Sequence, residues 1–370
     1  MGLSFESPIF AFRKSEIQTL KHNIPMIRVG VWIVIVSLIG VIGCNEPGAS
    51  DEPTTRQDGD RSEEKVPRSR ADEISIEIRK DPKNPVLYAR RAEAHIAEGS
   101  LVLALEDINR SLTLDSVNAV FHLSKGEILY AQKKVDKAID SFERALELDG
   151  NNTEALLKMA EVQLLLRQYQ ECFNLANKAL RINDQLYQGY FIKGYAHYEL
   201  GDTSRFISSV QTAIELNPNF FDGFMMLGSF FSSINDDVAL DYFDSALEVR
   251  KDDVQALYAK AMYFQEQGRL EEAMELYEYM VAIDPNNGLA WFNQGFIWLE
   301  YYEEPQAAIP FFKKTIEVFD GYDDAFYNLG LCYELIGNFS EAKSYFEQTL
   351  EVNPQHDLAA IGLSRVMRRS

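Results

Sequence analysis

The sequence has few cysteines and few histidines, and both shortages restrict its chemistry. Its three cysteines, Cys44, Cys172 and Cys332, lie far apart in the chain, which excludes the dense disulfide framework of small secreted proteins. Cys172 and Cys332 are interpreted as small buried apolar residues. The five histidines are also scattered, whereas a metal site needs clustered ligands. We therefore expect no metal site and no cofactor.

Positive charge is scarce relative to negative charge. The 370 residues include 36 Lys and Arg against 57 Asp and Glu, a net charge of −21. Nucleic-acid binding depends on Lys and Arg that neutralise phosphates, and anionic membranes attract basic segments. The charge balance therefore argues against nucleic acid as a partner and against broad docking on anionic membranes.

Catalytic signatures are missing as well. The sequence contains no P-loop, no G-x-G-x-x-G after a strand, no H-E-x-x-H and no G-x-S-x-G. Its many carboxylates are those of a solvated helical surface. The sequence predicts a protein that is not an enzyme and that has no small-molecule substrate.

What the chain does contain is one long apolar run near its start, within "VWIVIVSLIGVIGCNEPGASDEP". The uncharged window, residues 29–45, is seventeen residues long, which is close to the lower limit for a helix that crosses a bilayer. A secretory signal instead has a basic start, an apolar core and a small-residue cleavage site. Arg28 and Gly43 supply the first and last of these if translation starts at Met26 rather than at Met1.

The end of the run, Val41-Ile42-Gly43-Cys44, resembles the lipobox of bacterial lipoproteins. The resemblance implies cleavage before Cys44 and lipidation of that cysteine. On this interpretation residues 26–43 are a lipoprotein signal peptide, and residues 1–25 are an over-long start or part of its basic region. An uncleaved single-span anchor remains the alternative, whereas a buried core helix is disfavoured.

Residues 44–70 are rich in Pro, Gly, Ser, Asp and Glu, and Val66 is the one aliphatic residue after Cys44. Such a segment cannot bury enough apolar surface to offset the entropy of ordering it. We expect a flexible acidic tether between the anchor and the rest of the chain.

The rest of the chain repeats with a spacing of thirty-four residues. "VFHLSKGEILYAQKKVDKAIDSFERALELDGNN" from Val120 and "DAFYNLGLCYELIGNFSEAKSYFEQTLEVNPQH" from Asp324 share a Gly, Ala and Phe at matching places. This pattern resembles the tetratricopeptide repeat, a helix–turn–helix unit. Eight units fit between residues 85 and 356. They begin at Pro85, Ala119, Thr153, Tyr187, Phe221, Val254, Gly288 and Asp323.

The resemblance implies an all-α fold, a right-handed superhelical solenoid of about eight helix–turn–helix repeats. Residues 71–84 are predicted to form a lone second helix before the first repeat. Residues 357–370 are predicted to form a capping helix, because the last repeat of a solenoid needs a cover for its apolar face.

Three departures from the repeat pattern carry structural expectations. Phe206 replaces the small residue where the two helices of the fourth repeat meet, so we expect those helices to be pushed apart or rotated. The seventh repeat has one extra residue, and Pro305 is placed at the start of its second helix. Pro310 lies inside that helix and predicts a kink.

In the resembling family, the first helices line a concave groove, and some members clamp a peptide carboxylate with Lys and Asn. Glu93, Glu127 and Glu161 occupy one of the clamp places in the first three repeats, so that clamp is absent. Later repeats carry aromatic residues and Met, which are enriched at interface centres. The predicted groove residues are Phe191, Tyr195, Tyr198, Met225, Tyr258, Met262, Phe292, Asn293, Phe296, Tyr327 and Asn328.

Within this set, Asn293 and Asn328 are predicted to bond the backbone amides of a ligand. An acidic rim at Glu199, Glu266, Glu300 and Glu334 favours a basic or neutral apolar segment.

The sequence therefore favours a membrane-anchored scaffold that binds a protein or peptide segment, within an envelope assembly or secretion complex. Membrane attachment is expected through lipidated Cys44 or through an uncleaved span. The expected location is the bacterial cell envelope, on the periplasmic side of the outer membrane. The alternative is a non-catalytic regulator or recruiter of a periplasmic enzyme. A cytoplasmic co-chaperone is disfavoured by the missing clamp and the apolar leader.

Overall fold

A computed structural model of the protein describes residues 69–369, and throughout that range the regular structure is helical. The apolar run, Cys44 and most of the predicted tether lie outside the described residues. Eighteen α-helices and one π-helical segment follow one another along the described chain. They belong to two compact units that divide between Pro218 and Asn219, here called the N-terminal and the C-terminal unit.

The described part of the N-terminal unit consists of nine helices. Their bounds are α1 Arg70–Lys80, α2 Pro85–Ala97, α3 Leu101–Leu114, α4 Ala119–Ala131, α5 Val135–Leu148, α6 Thr153–Leu165, α7 Tyr169–Ile182, α8 Tyr187–Glu199 and α9 Thr203–Leu216.

The C-terminal unit also has nine α-helices within its described residues. Their bounds are α10 Phe221–Ser233, α11 Val238–Val249, α12 Val254–Glu266, α13 Leu270–Ile283, α14 Gly288–Phe296, α15 Pro305–Val318, α16 Asp323–Leu335, α17 Phe339–Val352 and α18 Asp357–Met367. The π-helical segment, Ile297–Tyr301, directly follows α14.

The first helix of every repeat begins at the residue where the sequence pattern places the repeat. Several starts are fixed by side-chain caps, since the oxygen of an Asn or Asp accepts a backbone N–H of the first turn. Asn118, Asn152 and Asn287 are such caps. The predicted all-α fold of eight helix–turn–helix repeats with a terminal helix is confirmed.

Close contact between the two helices of a repeat depends on small residues. A Cβ added to Gly126 would lie 2.4 Å from the Phe142 ring, and one added to Gly330 would lie 2.6 Å from the Phe346 ring. The facing helix contributes a second small residue that is fully buried in seven of the eight repeats. These residues are Ala104, Ala138, Cys172, Ala239, Ala273, Ala308 and Ala342.

The fourth repeat accommodates Phe206 without separating its helices at Gly194, which corrects the prediction that they are pushed apart; the alternative, a rotation of one helix, stays a prediction. Phe206 is fully buried, and its ring centroid lies 5.2 Å from that of Tyr198. A Cβ on Gly194 would still lie 2.6 Å from a methyl carbon of Val210. The helices thus stay in contact at the glycine, and the large ring fills space beside it.

The extra residue of the seventh repeat lies within its first helix. α14 continues into the π-helical segment, where the Tyr302 N–H donates to the Ile297 carbonyl at 3.1 Å. A π turn holds one residue more than an α turn. Pro305 starts α15, as predicted, and α15 continues past Pro310 to Val318. The kink expected at Pro310 stays a prediction.

The terminal helix α18 packs against the last repeat of the C-terminal unit. Gly362 faces the Phe346 ring, and Val366 is fully buried beside it. The Arg365 guanidinium donates two hydrogen bonds to the Glu334 carboxylate, with nitrogen–oxygen distances of 2.5 and 2.6 Å. The helix therefore covers the apolar end of the repeat and also neutralises a carboxylate on it.

Candidate functional site

The three groove residues predicted in the N-terminal unit differ in exposure. Phe191 and Tyr195 are 4% and 6% exposed, whereas Tyr198 is 42% exposed. Burial, and to a smaller extent the nearby Glu199 carboxylate, raises the pKa of Tyr195 to about 12. The prediction that Phe191 and Tyr195 line an open groove is thus corrected, because both rings are part of the core. Tyr198 alone of the three presents a large surface.

In the C-terminal unit the predicted aromatic residues lie on neighbouring first helices. The Asn293 side-chain nitrogen of α14 is 3.4 Å from the Tyr258 hydroxyl of α12. The Tyr301 hydroxyl, at the end of the π-helical segment, is 3.5 Å from the Gln265 carbonyl of α12. These distances show that the first helices of the sixth and seventh repeats lie side by side.

Four rings on or beside these helices form a connected set. Phe292 and Phe296 stack with centroids 6.2 Å apart, and Tyr322 meets Phe292 edge-on at 5.0 Å. Tyr301 meets Phe296 edge-on at 6.2 Å. We call Tyr258, Phe292, Phe296, Tyr301 and Tyr322 the aromatic surface. Tyr301 is 41% exposed and the other four are half-buried, so each ring combines packing with accessible area.

The two predicted methionines are both half-buried, Met262 on α12 and Met225 on α10. The Met262 sulfur lies 3.2 Å from the hydroxyl oxygen of the buried Tyr277, which also donates to the Gln265 side-chain oxygen at 3.0 Å. Met225 packs against Phe221 and Phe243. Methionine adapts its shape readily, so Met262 is suited to the edge of a protein-binding surface.

Asn293 and Asn328 do not have the predicted arrangement. Both are buried, and each side-chain amide N–H donates to the carbonyl four residues earlier in its own helix. The acceptors are Leu289 at 2.9 Å and Asp324 at 2.7 Å. Short polar side chains often form such local bonds. Both side chains are buried and bonded within their own helices, which corrects the prediction that they bond the backbone amides of a ligand.

Tyr327 is separate from the aromatic surface. Its ring lies 4.8 Å from His356 and 5.9 Å from Phe346, and it is half-buried in the last repeat. The predicted acidic rim differs from the prediction at Glu334, because that carboxylate forms an ion pair with Arg365. That carboxylate is 8% exposed, so it is not a free attractant for a basic ligand.

Sequence reasoning missed Tyr301 and Tyr322. The π-helical segment shifts the helical register by one residue after Phe296, which brings Tyr301 next to that ring. The extra residue in the seventh repeat was the available signal. Tyr322 precedes α16, and its ring stacks on Phe319 at 5.0 Å. It precedes the first residue of the last repeat, so it falls outside the repeat positions that were predicted to line the groove.

The N-terminal unit has a different polar cluster on its first helices. Burial raises the pKa of Glu127. The charge of Lys158 lowers that pKa in part, and the neighbouring carboxylates raise it further. Lys158 also pairs with Glu161 at 3.3 Å. Burial raises the pKa of Glu161 as well. The cluster is partly neutralised from within by Lys158.

Residues 69–369 contain no group of three His, Cys, Asp or Glu side chains that could hold a metal ion. None of the described helices combines the length and apolar content that crossing a bilayer requires. Cys44 and residues 26–43 lie outside that range, so lipidation and the signal peptide stay predictions.

Family models described as tetratricopeptide repeat match four stretches of the chain. They are residues 119–152, 187–220, 237–288 and 323–356. The chain is a tetratricopeptide-repeat protein. Its repeats support a function as a protein-interaction scaffold.

A curated human protein is similar to this chain over a short stretch. The human Protein O-mannosyl-transferase TMTC3 is 31% identical over 105 residues. That stretch is 28% of this tetratricopeptide-repeat chain and 11% of the relative, so the chain spans only a small part of the relative's length.

Three solved structures are also similar. YrrB, a tetratricopeptide protein with an unusual peptide-binding site, matches 51% of this chain and 98% of its own, with 22% identity and TM-score 0.38. MamA matches 44% of this chain and 90% of its own, with 20% identity and TM-score 0.38. A chain of the Cut9-Hcn1 hetero-tetramer of the APC/C matches 80% of this chain and 58% of its own, with 15% identity and TM-score 0.45.

Proposed function

We propose that this protein is a membrane-anchored scaffold that binds a segment of a partner protein on the aromatic surface of its C-terminal unit. The observation that carries the proposal is a connected set of partly exposed rings, those of Phe292, Phe296, Tyr301 and Tyr322. The Tyr258 hydroxyl on the neighbouring first helix lies beside them, 3.4 Å from the Asn293 side chain. Aromatic side chains offer large contact area with little rotamer entropy to lose, and they dominate binding energy at interfaces.

The anchor is proposed from the sequence. Cys44 follows an apolar run and precedes a polar segment, and this order supports a lipid attached at Cys44 and joined to the repeats through that segment. Metabolic labelling with an alkyne fatty acid tests this attachment. The wild-type chain is expected to carry the label and the Cys44→Ser variant to lose it. An equally labelled variant would contradict lipidation at Cys44.

The proposed setting is an envelope assembly or secretion complex on the periplasmic side of an outer membrane. A structural envelope protein captured by the repeats supports that setting. A periplasmic hydrolase captured instead supports the alternative, a regulator that recruits an enzyme. In both cases the repeats bind and the partner acts, since the chain itself is proposed to be non-catalytic.

A crosslinked pull-down from native membranes tests the binding surface. The Phe292→Ala/Phe296→Ala variant is expected to lose the partner. Phe292 also packs at 5.5 Å from the buried Phe312 ring, and truncating buried aromatics costs roughly 3–5 kcal/mol each. A thermal melt of this variant is therefore needed beside the pull-down.

A milder variant separates binding from stability. Tyr301→Ser removes an exposed ring of the aromatic surface and is expected to reduce capture at least fivefold while the melting temperature changes little. The matched control is Val352→Ser on the second helix α17, since Val352 is 43% exposed. Equal capture by the wild type, Tyr301→Ser and Phe292→Ala/Phe296→Ala would contradict the proposed site.

A further inference from the structure

A second accessible feature of the C-terminal unit is lined by residues that are not part of the aromatic surface. It is an open cavity of about 500 Å³ between α13 and the residues around the π-helical segment. We call it the notch. It is lined by Glu271, Met274, Glu275, Glu278, Trp298 and Tyr302.

The lining follows from helix geometry and from the extra residue of the seventh repeat. The four residues from α13 have spacings of three, four and seven, so they lie on one helix face. On the other side, the Trp298 and Tyr302 rings meet edge-on with centroids 5.1 Å apart. The Glu304 N–H donates to the Trp298 carbonyl at 2.9 Å, which fixes the backbone around both rings.

The notch combines aromatic rings with uncompensated negative charge. Among residues 69–369, no Lys or Arg forms an ion pair with Glu271, Glu275 or Glu278, although Arg269 pairs with the neighbouring Glu272 at 2.8 Å. All three carboxylates are exposed. Beside them, the half-buried Trp298 and Tyr302 rings offer faces and edges of the kind that attract cations.

We propose that the notch binds an arginine side chain of a protein partner, through residues other than those of the aromatic surface. Charge complementarity selects this occupant. A guanidinium stacks on an indole face and also bonds carboxylates with its planar fork of N–H groups. Its methylene stem has an apolar contact available along Met274. The net charge of −21 on the chain further favours a basic partner over an acidic one.

Fluorine NMR of the full-length protein tests the proposal, with all three tryptophans replaced by 5-fluorotryptophan. The chain has three tryptophans, and the Trp298 signal is assigned from the Trp298→Phe variant. The probe is an amidated glycine peptide with one central arginine. Its counterpart has citrulline, which keeps the shape and removes the charge. The Trp298 signal is expected to shift saturably with arginine and at least tenfold more weakly with citrulline.

Two variants with equal charge change complete the test. Glu275→Gln/Glu278→Gln removes charge from the notch and is expected to weaken the arginine response at least fivefold. Glu143→Gln/Glu351→Gln removes the same charge from exposed positions elsewhere and is expected to leave it unchanged. Equal responses to arginine and citrulline, or equal weakening by the two variants, would overturn the proposal. Neither result bears on the aromatic surface, which the Tyr301→Ser pull-down tests independently.

Discussion

At the scale of single residues, the two helices of a repeat pack closely because a large side chain on one helix faces a small residue on the other. Phe346 is fully buried between Gly330 and Gly362, and a Cβ on either glycine would lie within 2.7 Å of its ring. The same arrangement joins Gly126 to Phe142 in the second repeat. In these two repeats the large ring leaves room only for a glycine on the helix it meets.

Gly330→Ala is therefore expected to destabilise the protein by about 1–3 kcal/mol, the usual cost of an overpacked core. The measurement is the melting temperature of the full-length chain. Gly150→Ala is the control, because a Cβ on Gly150 would meet its nearest atom at an ordinary 3.5 Å. An unchanged melting temperature for Gly330→Ala would contradict this packing account.

Glu127 gives a pH-dependent prediction in the N-terminal unit. Burial raises the pKa of this carboxyl, so the folded protein favours its protonated form. Its contribution to stability is complete below its unfolded pKa and is lost as the pH rises through the folded pKa. Glu127→Gln keeps the side chain neutral at every pH. It is expected to raise the melting temperature at pH 7 but not at pH 4.

Thermal melts at both pH values check this expectation, with the exposed Glu106→Gln as control. A lower melting temperature for Glu127→Gln at pH 7 would show instead that attraction to Lys158 outweighs the cost of burying the charge.

At the scale of helices, the sequence predicts regular repeats well because each small residue reports a close helix contact. Pro305, a residue suited to the first turn of a helix, marks the start of α15. The sequence also shows an extra residue in the seventh repeat, but a turn and a π-helical segment accommodate such a residue equally well. Only the structure places it before Tyr302, where it turns Tyr301 towards Phe296.

Burial of individual side chains was the harder part of the site to predict. Phe191 and Tyr301 are both aromatic residues on first helices, yet one is buried and the other exposed. Helical spacing alone does not distinguish a ring that packs on a neighbouring helix from one that faces solvent. The same limit applies to Asn328, whose amide bonds its own helix.

The contact between α18 and α16 leads to a third prediction. Arg365→Leu leaves the mostly buried Glu334 carboxylate without its partner. Breaking a fully buried pair costs about 3–5 kcal/mol; since Arg365 is 35% exposed, solvent screening reduces the expected cost to about 1–3 kcal/mol. Hydrogen exchange in residues 357–367 is expected to become faster.

Two further variants sharpen that measurement. The exposed Arg368→Leu should leave exchange unchanged. Arg365→Leu combined with Glu334→Leu should recover much of the protection, because no charge is then left buried and unpaired. Unchanged exchange in Arg365→Leu alone would show that apolar packing by Val366 and Gly362 holds the helix without the ion pair.

At the scale of the whole molecule, the proposed anchor, the polar cluster and the aromatic surface lie in different parts of the chain. The apolar run and Cys44 lie at one end, and the repeats occupy residues 85–356. The N-terminal unit carries the Glu127, Lys158 and Glu161 cluster on its first helices, whereas the C-terminal unit carries the aromatic surface. This division places the proposed partner site in the unit farther along the chain from the proposed anchor.

Site-specific photocrosslinking in native membranes tests this account most directly. A benzoylphenylalanine at Tyr301 reports on the aromatic surface, and one at Val352 reports on a second helix with similar exposure, 41% against 43%. The account predicts a discrete crosslinked protein from position 301 and much less of it from position 352. Equal yields at the two positions, or capture from position 352 alone, would contradict binding on the aromatic surface.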